Sequence, residues 1–219
     1  MKATYILFDL DGTLTDPMVG ITKSVRHALR AYGIDPPGLE ALCPFIGPPL
    51  KDSFMKYCGF PEARAEEAIG KYREYFAETG IFENQVYDGV EDMLRRLKAK
   101  GKTLLVATSK PEEFARRILE HFHLDRYFDY VCGASMDEKR VKKGDVIAYA
   151  LETAGVRDVT GAVMVGDREH DVIGARENHM DCIGVLFGYG SREELEDAGA
   201  AVTAASVEEL AELLLGQND

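Results

Sequence analysis

No stretch of this 219-residue chain is apolar over the roughly 20 residues that a membrane-crossing helix needs. Its start, Met1-Lys2-Ala3-Thr4-Tyr5, runs straight into a short apolar segment, without the basic region, long apolar stretch and cleavage site of a signal peptide. The four cysteines, Cys43, Cys58, Cys132 and Cys182, form no CxxC pair and have no His-rich segment beside them. That argues against a zinc site and fits reduced thiols, so a cytoplasmic protein without membrane contact is expected. Positive charge is also scarce: 26 Lys and Arg face 38 Asp and Glu, a net charge of −12. With no basic stripe to displace counterions from a phosphate backbone, nucleic acid is excluded as the expected partner. A small phosphorylated metabolite is not excluded, because salt screens the distant field within about 8–10 Å. There is no internal repeat, low-complexity tract or coiled-coil pattern; monomer and dimer stay open.

What is present is an alternation of short β-type runs with helical patterns. Strands are expected at Tyr5–Asp9, Thr103–Thr108, Tyr130–Cys132, Ala162–Gly166, Cys182–Val185 and near Ala201–Val202. Each is brief and rich in β-branched or aromatic residues, as strands buried on both faces are. Helical spacing follows at Val90–Lys100, Glu113–Phe122, Val141–Ala154, Val172–Asn178 and Val207–Leu215. The pattern predicts an α/β fold with a Rossmann-like parallel sheet and helices on both faces.

Residues 16–80 break the alternation. Helical patterns at Ile21–Tyr32, Leu50–Cys58 and Glu62–Glu78 are punctuated by Asp35-Pro36-Pro37-Gly38 and Gly47-Pro48-Pro49, with no convincing strand. The organisation expected is a core of residues 1–15 and 81–219 with a helical domain of residues 16–80 inserted after the first strand.

In open parallel sheets ligands bind beyond the carboxyl ends of the strands. The polar residues there are Asp9, Asp11, Gly12 and Thr13 after the first strand, and Thr108, Ser109 and Lys110 after the second. Gly166-Asp167-Arg168-Glu169-His170-Asp171 follows the fourth, and Lys142 and Lys143 open a helix. Packing requires none of these. Asp9 and Asp11, two apart on an emerging strand, face one pocket only if the chain twists there, which Gly12 permits. Asp167, and Asp171 one helical turn later, add oxygen ligands, and such a hard donor set suits Mg²⁺. The Thr108 hydroxyl and Ser109 amide can donate to a phosphate oxygen, and Lys143 supplies fixed positive charge for a phosphoryl group. Asp167 and Asp171 also suit a plain capping role at the helix that follows. Glu62–Glu67 and Glu193–Glu196 read as solvated helix faces.

These residues resemble the haloacid dehalogenase superfamily, whose four motifs occur in order as Asp9-x-Asp11-Gly12-Thr13, Thr108, Lys143 and Gly166-Asp167-x-x-x-Asp171. The spacing to Asp145-Val146-Ile147 favours Lys143 over Lys142 for the third. The helical insert resembles that superfamily's C1-type cap. Phe45–Leu50, Thr108–Pro111 and Gly188-Tyr189-Gly190-Ser191 are similar to the phosphoglycolate phosphatase-like branch, although Gly144 stands where proline is common there. The resemblance implies a Mg²⁺-dependent phosphatase of small monoesters, phosphoglycolate-like or nucleoside 5′-monophosphates, acting through an aspartyl-phosphate. Asp9 would be the nucleophile and Asp11 the acid and base. Metal would be held by Asp9, the Asp11 carbonyl and Asp167, with Asp171 in support. Phosphate would meet Asp9, Gly12, Thr108, Ser109 and Lys143, and the cap loop from Gly47 to Lys51 would touch the leaving group. A sugar-phosphate mutase of the β-phosphoglucomutase type and a non-catalytic phosphate-ester-binding module are the alternatives. Pro17 after Asp16, and Gly-Pro-Pro-Leu in the cap loop, depart from the mutase pattern.

Overall fold

The computed structural model describes residues 3–36, 38–137 and 139–216. Pro37 of the expected break, Met1 and Lys2 of the first core segment, and the last three residues lie outside the described ones. The chain forms two compact units, one of Met1–Thr15 with Val86–Asp219 and one of Asp16–Gln85. The division falls at Gln85, five residues beyond the expected boundary at residue 80, because the second passage runs as a strand. Thr15–Asp16 (β2) and Gln85–Val86 (β3) form a two-stranded ribbon too short to register in the sequence pattern.

The larger unit is built on a six-stranded parallel sheet. Its strands are Tyr5–Phe8 (β1), Thr103–Pro111 (β4), Tyr130–Ala134 (β5), Ala162–Gly166 (β6), Asp181–Val185 (β7) and Val202–Ala204 (β8). They lie in the order β5-β4-β1-β6-β7-β8, all neighbours parallel. Central β1 is buried on both faces: Ile6, Leu7 and Phe8 have no exposed surface, which explains its unbroken apolar run. Leu7, Leu105, Met164 and Cys182 form one core with Val146, Ile147 and Ala150 of Lys143–Thr153 (α6), and with Val172 and Ala175 of Glu169–Glu177 (α7). Alternation turns Ile6, Phe8, Leu104 and Val106, equally buried, to the opposite face. The remaining helices of this unit are Val90–Ala99 (α4), Glu112–His121 (α5), Arg192–Ala198 (α8) and Val207–Leu215 (α9).

Strand order positions the chemistry. From β1 the chain reaches β4 and β5 on one side, then returns to β6 on the other, so the order reverses at β1. Phe8 pairs with Val106 and Val165, which brings Asp9 level with the residues just before Thr108 and Asp167. Ligands of such sheets bind at this switch point.

The smaller unit contains Met18–Arg30 (α1), Leu50–Cys58 (α2) and Glu62–Phe76 (α3), with 3₁₀ turns at Glu40–Phe45 and Gly80–Phe82. Its core is aromatic: Phe45 packs edge-on to Phe54 with centroids 5.2 Å apart, and Phe54 stacks on Phe60. Gly20 of α1 touches the Gly80 turn; a Cβ there would stand 1.9 Å from the Gly80 carbonyl oxygen.

Candidate active site

The turn after β1 is wound around one carbonyl. Leu10 O accepts from the N–H groups of Thr13, Leu14 and Thr15, and Gly12 N donates to Thr15 O. Gly12 sits at φ +79°, the conformation that glycine takes without strain. It is also a point of close approach: a Cβ there would lie 2.2 Å from Asp167 Oδ2. Gly12 thus turns the chain directly after Asp11 and leaves room for the Asp167 carboxylate.

Asp9, Asp167 and Asp171 come together. One carboxylate oxygen from each lies within 4.8 Å of the others, and all three residues are buried. Lys143 reaches between them, its ammonium 2.9 Å from Asp9 Oδ1 and 2.8 Å from Asp171 Oδ1, and it donates to Ala107 O at 3.0 Å. Helix α6 begins at Lys143, with Lys142 extended and exposed ahead of it. Lys143, not Lys142, is thus the lysine among the carboxylates. Asp171 is held at both ends, because its Oδ2 also accepts from Arg168 N to cap α7. The capping role and the place in the cluster are both real.

Asp167 Oδ2 accepts a 2.7 Å hydrogen bond from Tyr189 N, while Oδ1 is buried with no hydrogen-bond partner among the described residues. Gly188 and Gly190 let that loop close on Asp167, since a Cβ on either would stand within 2.4 Å of Asp167 atoms. The electrostatics follow from burial. It pushes Asp167 well above the ordinary carboxylate range, and the Asp171 and Asp9 charges add to the effect. Burial also raises Asp171, against the opposing pull of Lys143. For Lys143 burial acts downward, but Asp171 and Asp9 outweigh it and hold the ammonium above the usual lysine range.

Three buried carboxyl groups share one ammonium, and Asp167 Oδ1 has neither that ammonium nor a hydrogen-bond partner among the described residues. A hard divalent cation of the Mg²⁺ type fits this donor set. The carboxylate of Asp11 stands apart from that group and pairs with Lys110 at 2.7 Å instead. Thr108 is buried in β4 just before its register slip, its Oγ1 accepting from Lys110 N, and Ser109 beside it is half-buried.

The cap candidates lie in the smaller unit. Gly47 turns at φ +102° ahead of α2, and the Lys51 ammonium is taken up by Glu62 at 2.6 Å and Glu66 at 2.8 Å. As a substrate contact Lys51 would have to leave both glutamates. His170 lies outside the carboxylate group.

Three roles were not legible in the sequence. Lys110, noted there only for its place beside Thr108, is as buried as Asp11. The glycines at 188 and 190, noted there only for their likeness to a branch of the superfamily, act by lacking a side chain. Glu194, read as part of a solvated face, is instead half-buried; its carboxylate accepts from Arg168 Nε and Glu169 N at the start of α7.

A six-stranded parallel sheet with a buried carboxylate cluster and one lysine at its switch point is an α/β enzyme architecture of the Rossmann-like kind. The family model described as haloacid dehalogenase-like hydrolase matches residues 6–185, and the chain belongs to that family as a phosphatase-type enzyme. A 5′-nucleotidase of Pseudomonas aeruginosa is 51% identical over 190 residues, covering 87% of this chain and 86% of that protein. The tyrosine-protein kinase PtkA of Mycobacterium tuberculosis is 42% identical over 212 residues, covering 95% of this chain and 72% of that protein. Among solved structures, a predicted phosphatase from Clostridium acetobutylicum superposes with a TM-score of 0.95 at 51% identity, over 98% of this chain and 99% of that one. No helix of the described residues is long and apolar enough to cross a membrane.

Proposed function

We propose that this chain is a Mg²⁺-dependent phosphatase of small phosphate monoesters that works through a covalent phosphate on Asp9. The observation that carries this reading is the buried gathering of Asp9, Asp167 and Asp171 around Lys143. Asp9, the Asp11 carbonyl and Asp167 would hold the cation, with Asp171 in support. Bound there, Mg²⁺ supplies neutralisation of the carboxylates and of the incoming phosphate.

The chain's own residues do the rest. A carboxylate oxygen of Asp9 attacks phosphorus, and the bond to the leaving alcohol breaks as Asp11 gives that oxygen its proton. Asp11, now a carboxylate, takes a proton from water, whose oxygen displaces Asp9 from phosphorus and releases inorganic phosphate. Splitting one displacement into two lowers each barrier. Lys143 keeps fixed positive charge beside Asp9, where the equatorial oxygens develop negative charge. Thr108 and the Ser109 amide would fix the phosphoryl group, and Gly12 lets the backbone approach it. Residues 16–85 would act as a cap, with the Gly47–Lys51 loop meeting the leaving group and water shut out on closure.

Among substrates we place nucleoside 5′-monophosphates first, on the strength of the 51% identity to a 5′-nucleotidase. The test is phosphate release by purified protein with Mg²⁺ from a panel of nucleotides, phosphoglycolate, sugar phosphates and phosphotyrosine. Turnover of a nucleoside 5′-monophosphate that stops on chelation is expected. No phosphate from any member of the panel would overturn the reading, and interconversion of glucose 1- and 6-phosphates without phosphate release would favour a mutase.

A further inference from the structure

The pairing of Lys110 with Asp11 has no part in the reaction as described so far. Lys110 stands in the last turn-ward stretch of β4, where the register with β5 slips between Thr108 and Pro111. Its backbone is pinned: the N–H donates to Thr108 Oγ1 at 3.2 Å, and the carbonyl lies 2.6 Å from where a Cβ on Gly133 would stand. From this fixed base the side chain runs inward, and its ammonium meets Asp11 Oδ2 at 2.7 Å with the two side chains only 5% and 11% exposed. Burying an ammonium is costly, so a lysine at such a position points to a partner whose placement matters. The pairing takes one oxygen only. Asp11 Oδ1 is buried and has no hydrogen-bond partner among the described residues.

We propose that Lys110 is a positioning residue that anchors Asp11 through Oδ2, so that Oδ1 is the atom that hands the proton to the leaving group. The inference rests on the phosphatase reading above. In the step concerned, the Asp9–phosphorus bond forms, the phosphorus–oxygen bond to the alcohol breaks, and the Oδ1 proton becomes the alcohol's hydroxyl proton. Asp11 is left as a carboxylate facing the Lys110 ammonium.

The test compares kcat/KM for two esters, a nucleoside 5′-monophosphate, whose alkoxide must be protonated to leave, and p-nitrophenyl phosphate, whose phenolate leaves without a proton. Because kcat/KM covers only steps through the first phosphoryl transfer, later hydrolysis of the phosphoenzyme does not enter. General acid catalysis contributes about 10²–10⁴-fold, so K110M is expected to lose at least about tenfold more on the nucleotide than on the aryl ester. K110R, which restores the cation, should recover part of the selective loss. Equal losses on both esters, or no loss, would overturn the positioning role while leaving the phosphatase reading intact. Wild-type protein that cleaves neither ester would overturn both. If K110M does not fold by circular dichroism, K110Q is judged by the same ratio.

Discussion

The Tyr189 backbone N–H donates to Asp167 Oδ2 over 2.7 Å, which fixes one oxygen of this carboxylate and leaves the other buried without a donor. The approach depends on the neighbouring glycines, and a Cβ on Gly190 would stand 1.9 Å from the Asp167 carbonyl oxygen. Backbone cannot move aside as a flexible side chain can. Gly190→Ala is therefore expected to shift Asp167 and to weaken Mg²⁺ binding by about 10–100-fold, the usual cost of disturbing a ligand's support. Calorimetric titration with Mg²⁺ checks this; an unchanged affinity in a folded variant would contradict it.

Lys143 is the counter-charge for two buried carboxylates, its side chain 4% exposed between Asp9 at 7% and Asp171 at 1%. Removing one member of a buried pair strands the other, at about 3–5 kcal/mol. Lys143→Met should lower the stability of metal-free protein by that order in urea unfolding. Part of the loss should return on acidification, when the stranded Asp171, already raised by burial, takes up a proton. A change below about 1 kcal/mol would show that Lys143 does not carry this charge balance.

Burial holds Asp11, Asp167 and Asp171 above the ordinary carboxylate range. The folded metal-free protein therefore keeps protons that the unfolded chain releases, so its stability falls as pH rises from about 3.9 through the raised values. Glu62, Glu91 and Glu194 are lowered and act in the opposite sense, but only near and below their unfolded value of about 4.3. From about pH 5 upward the raised group decides the slope. Chelator-treated protein should melt higher at pH 5.5 than at pH 7.5, and added Mg²⁺ should stabilise more at pH 7.5, where it does not compete with protons. A melting temperature that rises with pH in the chelated protein would contradict this.

The parallel sheet was legible because its strands are short, apolar and separated by helical spacing. The family motifs added the aspartates, and the switch-point rule told where to look. Strand ends were less legible. Strand β4 runs on to Pro111 through a register slip that no propensity encodes, and that slip is where Lys110 turns inward. Side-chain partners were least legible of all. Lys51 looked available for substrate, yet Glu62 and Glu66 on α3 hold it, a pairing across eleven and fifteen residues. Glu194 sits in an acidic run whose other members are exposed, and only the fold brings it to the start of α7.

The most direct measurement looks for phosphate on Asp9 itself. Asp11→Asn protein, incubated with Mg²⁺ and p-nitrophenyl phosphate, can be phosphorylated without a proton donor but lacks the base for the second step. Acid quenching, borohydride reduction and peptide mass spectrometry then read the modified residue, since an aspartyl-phosphate is reduced to homoserine. The account predicts homoserine at position 9, and none when Asp9→Asn is added. Phosphate trapped on another residue, or turnover that persists in Asp9→Asn protein, would contradict it.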